Sequence, residues 1–357
     1  MISDNIELFP GNNFPKDMAA PARDDILNEL AEYGFHGEGD ISLIDSSHSQ
    51  DDIRLNYIID KKWVLRFCKA PEMTEKRLCE LNRLIGRYND FGLKCPFFLA
   101  DKDNRFFHEW KGLSVYLSEY IDLQTGYELD EAEWEPVWNE VLDSVAAFAE
   151  AYRNVDLIDT MGMYSLFDLS PFDKECGKDE KQQNFENLTK VLREMGENHL
   201  ADKLETRHTK IREKIRSVYR KLPRCVFQAD ENLSNVLVDE HHHMAGLIDF
   251  NLAGTEVIVN QFANLGGGFN ENNKEPVGAA ARLKYAQDSY RKYQDHMLQI
   301  YHATELEKQA IHWYSWIALV AGWPQVCFFL DGLKDEKLKD EILGLLDMMA
   351  EYPEKEH

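Results

Sequence analysis

The sequence contains no pair of cysteines at C-x-x-C spacing. Its six cysteines, Cys68, Cys79, Cys95, Cys176, Cys225 and Cys327, are scattered through 357 residues. That scatter excludes a zinc ribbon and a disulfide framework, and it fits a reducing, cytoplasmic setting. No apolar run is long enough to span a bilayer, so no membrane partner is expected. The opening stretch, MISDNIELFPGNNFPKD, lacks the basic start and apolar core of a signal peptide. Clustered lysines and arginines are missing too, and the formal net charge is -24. A nucleic-acid partner needs a basic surface and is excluded on that ground. Internal repeats and low-complexity tracts are absent.

What is present is a globular composition, 44% hydrophobic and 29% charged, in a chain too long for one small core. Of the 64 acidic and 40 basic side chains, 21 and 15 lie in the first 120 residues, so the remainder carries a net of -18. An acidic second half favours a cationic, amine-bearing ligand, although surface acids also serve plain solubility. Nothing in the pattern specifies an oligomeric state.

Residues 1–22 hold three prolines and little periodicity and read as an arm. A short helix is predicted from about Asp24 to Tyr33, with acids at its positive end. Strand-like runs follow at Ile41–Asp45, Ile53–Ile59 and Trp63–Phe67, then a helix over 73–89, then strands at Cys95–Leu99 and Leu113–Tyr120. Beyond Leu123 the period becomes helical, over 131–153, 182–197, 199–221, 277–301, 304–322 and 335–351, interrupted by short strands near Val236–Val238 and Gly246–Ile248. The expectation is α+β: an antiparallel-sheet lobe over 23–119 and a mainly helical lobe over 120–357.

The chemistry concentrates in Phe227-Gln-Ala-Asp230-Glu-Asn-Leu-Ser-Asn235-Val-Leu-Val and, after a turn, Gly246-Leu-Ile-Asp249-Phe250. Phosphoryl transfer needs a carboxylate to take the proton of the attacking hydroxyl, and an Asn oxygen with a second carboxylate to hold a divalent cation. A hairpin between the last two would bring them together. Here the chain resembles the aminoglycoside phosphotransferase and choline kinase-like family, which has a protein-kinase-like two-lobed fold. The family's loop reads H-x-D-x-x-x-x-N, followed by I-D-F. The resemblance implies that Asp230 is the general base, that Asn235 and Asp249 are Mg²⁺ ligands, and that the co-substrate is ATP or GTP. Gln228 stands where the family has His, and Asn260-Gln261-Phe262-Ala263 lacks the Asp usual there.

The resemblance further implies that Arg66, in Trp-Val-Leu-Arg-Phe, contacts the phosphates. Glu80 is expected to pair with it, with Glu75 as the rival. Glu119 and Ile121 belong to the connector whose main chain would meet the purine edge. Ser49 lies in a serine-bearing loop, Ser46–Gln50, replacing a glycine-rich flap; Gly37 and Gly39 fall before the first strand, at a turn. His241-His242-His243 sits in the hairpin turn, where adjacent side chains splay and do not form a ligand set. Trp313, Trp316 and Trp323 read as core at helical spacing, with an aromatic cage as the alternative. The function implied is transfer of the γ-phosphoryl group to a hydroxyl of a small polar, amine-bearing acceptor. The alternative is a catalytically weak relative that binds nucleotide or ligand for regulation.

Overall fold

The computed structural model describes residues 14–15, 18–36, 39–47, 49–173, 176–269 and 275–351. Most of the expected arm, Gly37 of the early turn, and His48 of the serine loop lie outside those residues. Along the chain the elements are α1 (Arg23–Glu32), β1 (Ile41–Asp45), β2 (Arg54–Ile59), β3 (Trp63–Cys68), α2 (Glu75–Asp90), β4 (Phe98–Leu99), β5 (His108–Trp110), β6 (Leu113–Glu119) and β7 (Gln124–Thr125). There follow α3 (Glu131–Tyr152), α4 (Glu180–Glu194), α5 (Asn198–Val218), β8 (Arg224–Phe227), β9 (Val236–Val238), β10 (Met244–Leu247) and β11 (Gly254–Val257). The chain closes with α6 (Ile258–Asn264), α7 (Ala279–Met297), α8 (Glu305–Ala321), α9 (Trp323–Lys334) and α10 (Lys339–Glu351). The α+β expectation holds: an antiparallel sheet comes first and a helical region follows.

These elements form two compact units, Met1–Val137 with Asp230–Asn251, and Trp138–Ala229 with Leu252–His357. In the first unit, strands run β1-β2-β3-β6-β4 with β5 also on β6, all antiparallel. Strict alternation in β2 sends Leu55, Tyr57 and Ile59 inward. They pack with Leu65, Phe67, Val115 and Leu117, and α1 closes this core with Ile26 and Leu30. Helix α2 starts where the Thr74 hydroxyl accepts the Arg77 N–H at 3.2 Å, one of the orphan donors of a helix start. It buries Leu78, Leu81, Leu84, Ile85 and Tyr88 at helical spacing. The predicted strand at Cys95–Leu99 shrinks to Phe98–Leu99, as expected where Pro96 has no N–H to give a ladder.

A second, three-stranded sheet in this unit runs β10-β9-β7. Its β9–β10 hairpin bulges between Met244 and Gly246. Next to that bulge, Lys94 donates to the Ala245 carbonyl at 2.8 Å and accepts from the Leu247 N–H at 3.1 Å. A Cβ on Gly246 would stand 2.0 Å from the Lys94 carbonyl oxygen, so no larger residue fits.

In the second unit α4 packs on α5, α5 on α8 and α10, and α10 on α7. Asp179 caps α4 by accepting the Gln182 N–H at 3.0 Å and also takes a bidentate ion pair from Arg212 of α5. The short β8 and β11 pair antiparallel, Phe227 opposite Gly254. Among the described residues no single helix is long and apolar enough to cross a membrane.

Candidate active site

Strand β8 delivers the chain to Gln228, which is fully buried, and to Ala229, whose φ of 72° turns it sharply. That left-handed backbone is costly for a non-glycine residue and is typical of functional loops. Asp230 follows. Its main-chain carbonyl accepts from the Asn232 N–H at 2.8 Å, and the Asn232 carbonyl accepts from the Asn235 N–H at 2.9 Å. These two turns are the loop's internal scaffold. The Asn232 side chain donates to Asp230 Oδ1 at 2.9 Å.

Asn235 donates its side-chain amide to the Asp230 carbonyl at 3.0 Å and to Asp230 Oδ2 at 2.8 Å. Its own carbonyl accepts from the Ile248 N–H at 2.9 Å, which joins the loop to the segment after β10. Asp249 then adopts φ 55° and its Oδ1 accepts from the Asn251 N–H at 3.3 Å. Phe250 packs edge-on against Tyr88 of α2, and the buried guanidinium of Arg77 donates to the Asn251 carbonyl at 3.1 Å. Asp230, Asn235 and Asp249, predicted as one set, are thus brought together in one hydrogen-bonded hairpin.

The electrostatics follow from that proximity. Burial raises the Asp230 carboxyl above its ordinary range, the neighbouring Asp249 charge raises it further, and the Asn232 and Asn235 amides pull it back. A raised carboxyl is a stronger base at neutral pH. The oxygen donors fit Mg²⁺, which takes hard oxygen ligands. With its nitrogen committed to Asp230, Asn235 has its Oδ1 left for a cation, and the carboxylate of Asp249 follows Ile248, whose N–H bonds the Asn235 carbonyl.

Arg66 on β3 donates its Nε to Asn56 Oδ1 at 2.6 Å and its Nη1 to the Tyr116 hydroxyl at 3.4 Å. Burial works against its charge, but Tyr116 and the Asp249 carboxylate hold the guanidinium protonated. Arg66 and Asp249 therefore belong to one electrostatic neighbourhood. Neither expected acidic partner reaches Arg66. Glu75 instead accepts the main-chain N–H groups of Phe106, at 2.9 Å, and Phe107, at 3.1 Å. Glu80 is buried beside Arg77 and lies 3.5 Å from Lys76. The α2 acid thus supports the Arg77 clamp on Asn251, and the neutral amide of Asn56 orients Arg66. No sequence pattern marks Asn56 or Arg77 for these tasks.

In the connector, the Glu119 side chain accepts from the Phe97 N–H at 2.9 Å and its own N–H donates to the Phe97 carbonyl at 2.9 Å. The Ile121 N–H has no partner among the described residues. Ser49 lies in the β1–β2 turn, where its hydroxyl accepts from the Asp51 N–H at 3.2 Å. Asp51 and Asp52 of that turn are paired with Lys69 and Arg54, each at 2.7 Å. The three histidines do occupy a turn, with the N–H groups of His241 and His243 on Asp239 Oδ1 and His242 beside Glu133. Of the tryptophans, Trp316 is core but Trp323 is 61% exposed, so the trio forms no cage.

A sheet-first, helix-last chain whose Asp, Asn and Asp share one hairpin is a kinase-fold phosphotransferase by architecture. The chain belongs to the phosphotransferase enzyme family, whose sequence profile matches residues 40–296, and is by that membership a small-molecule kinase. Among solved structures it is similar to a spectinomycin phosphotransferase in complex with ADP and spectinomycin. That likeness has 12% identity and a TM-score of 0.53 over 93% of this chain and 99% of that one. It is likewise similar to a microcompartment-associated aminopropanol kinase, with 12% identity and a TM-score of 0.52 over 91% and 94% of the two chains. None of the curated proteins matches it in sequence.

Proposed function

We propose that the protein transfers the γ-phosphoryl group of ATP or GTP to a hydroxyl of a small, polar, amine-bearing acceptor in the cytoplasm. The observation that carries this reading is the single hydrogen-bonded hairpin holding Asp230, Asn235 and Asp249 within reach of the Arg66 charge. Asp230 orients the acceptor hydroxyl and takes its proton as the oxygen attacks the γ-phosphorus. The bond from that phosphorus to the bridging oxygen breaks as the new one forms, and the nucleoside diphosphate leaves. Arg66, held by Asn56 and Tyr116, offers fixed positive charge to the phosphates. Asn235 Oδ1 and the Asp249 carboxylate would hold Mg²⁺, which neutralises phosphate charge when bound. Ile121 offers a main-chain N–H, and Glu119 its strand-end carbonyl, to a purine edge. Ser49 is the flap hydroxyl proposed for phosphate contact.

An amine-bearing acceptor accords with the net of -18 beyond residue 120 and with the aminopropanol named for one structural relative. The six free thiols, two of them exposed, accord with a reducing compartment. The test is a phosphoryl-transfer assay with ATP and GTP, each with Mg²⁺, against a panel of amino alcohols and aminoglycosides. Acceptor-dependent nucleotide turnover abolished by Asp230→Asn is the expected result. Nucleotide binding without transfer to any acceptor would favour the regulatory reading, which the buried Gln228 in place of His supports.

A further inference from the structure

The second unit holds a cavity of about 670 Å³ bounded by α5, α7 and α8, with Met349 of α10 at its floor. That volume falls among small-molecule sites, which span roughly 300–1,000 Å³. Its walls are aromatic and aliphatic: Tyr290, Trp313 and Trp316 face it, along with Leu283, Leu298 and Leu319.

Its charge runs against that of the chain. In a protein of net charge -24, the lining carries Arg207, Lys214, Arg291 and Lys308 against one acid, Asp295. Arg291 and Lys308 also meet Asp288, at 3.5 Å, and Glu305, at 2.7 Å. Those pairs are solvent-exposed and weak. Arg207 stands over Trp316, 5.4 Å from its ring centroid, and Lys214 over Trp313 at 5.8 Å. Two of the rings therefore already carry one of the protein's own cations on a face, which leaves an aromatic surface edged with positive charge.

We propose that this cavity binds a small organic anion with a planar aromatic body, of the aromatic carboxylate or sulfonate class. Its rings lie against Trp313 and Tyr290, and its acid group meets Arg207 and Lys214. The site is built wholly from residues of the second unit and uses none of the groups assigned to phosphoryl transfer, so it stands whether or not that assignment holds.

The test is a fluorescence titration of the full chain with 8-anilinonaphthalene-1-sulfonate, at low ionic strength and with saturating ADP and Mg²⁺ throughout. Saturable binding at one site is expected. Affinity should weaken about tenfold in an Arg207→Gln/Lys214→Gln double variant, as for loss of charge-assisted contacts. Gln287→Glu, an isosteric change in the lining that adds a negative charge, should weaken it too, which keeps the test valid if the double variant fails to fold. Uncharged N-phenyl-1-naphthylamine should bind the parent more weakly and ignore these substitutions. Absence of saturable binding in the presence of ADP, equal affinity for the uncharged compound, or unchanged affinity in the variants would overturn the proposal.

Discussion

Asn235 holds Asp230: its side-chain amide donates to both the main-chain carbonyl and a carboxylate oxygen of the aspartate, at 3.0 and 2.8 Å. One side chain thereby fixes the direction of the proposed base and leaves its own Oδ1 for the proposed cation. The proposed base and the proposed metal site share this side chain, so a change at Asn235 should disturb both.

Asp230→Asn should separate chemistry from binding. The isosteric amide keeps the side chain's volume but only one of the two oxygens that accept from Asn232 and Asn235, and it cannot take a proton, so kcat should fall about 10²–10⁴-fold. Nucleotide affinity, read by calorimetry, should stay near that of the parent. Turnover equal to the parent's would remove Asp230 from the mechanism.

Asp249→Asn should act on affinity first. Binding of ADP measured with and without Mg²⁺ should lose its metal dependence, with little change in the metal-free value. A second readout tests the coupling between the carboxylates. With Asp230 as the proposed base, activity should need its ionised form and be lost as pH falls through a pKa above the ordinary range. Removing the Asp249 charge should move the acidic limb of the kcat/KM profile of any residual activity to lower pH, because that charge helps raise Asp230.

Asn56→Ala leaves Arg66 charged but unaimed. A hydrogen bond to a charged group contributes about 1.5 kcal/mol or more, so KM for nucleotide should rise about tenfold with kcat less affected. An unchanged KM would show that Tyr116 alone positions the guanidinium.

Glu256 of β11 gives a pH dependence of stability. It is 1% exposed, and burial pushes its carboxyl up to about 7, with Lys181 and Arg224 offsetting only part of that effect. The folded state therefore binds this proton more tightly than the unfolded chain, whose carboxyl titrates near 4.5. The contribution is full below that value and is lost as pH rises toward 7. Denaturant melts of the parent and Glu256→Gln should show a stability difference that changes by at most about 1.4 kcal/mol per pH unit across that window. Parallel curves for the two proteins would place the titration elsewhere.

The alternation in β2 and the 3.6 period of α2 were legible because each buries one face within a few consecutive residues. The hairpin was legible because two short apolar runs, one following Asn235 and one leading to Asp249, bracket a turn. The β8–β11 pair was not: Phe227 meets Gly254 across an intervening sheet segment, and four-residue strands carry no period of their own. α9 was missed because Trp323-Pro324 begins a helix directly after α8, where only Gly322 separates them. The acid pairing failed for another reason. Glu75 and Glu80 are both plausible from helix spacing, and the choice depends on which main-chain N–H groups and which guanidinium happen to face α2.

Gly246 has one further consequence. The hairpin bearing Asn235 and Asp249 is tied to the Lys94 segment through main-chain groups of residues 94, 245 and 247, and the glycine makes the approach possible. Main-chain attachment is indifferent to nearly every side chain around it. A hairpin held this way is free to change most of its side chains while it keeps its place against the Lys94 segment. The same indifference makes position 246 intolerant, so a library of substitutions along residues 240–250 should be depleted at this glycine as sharply as at Asp249, for steric reasons alone.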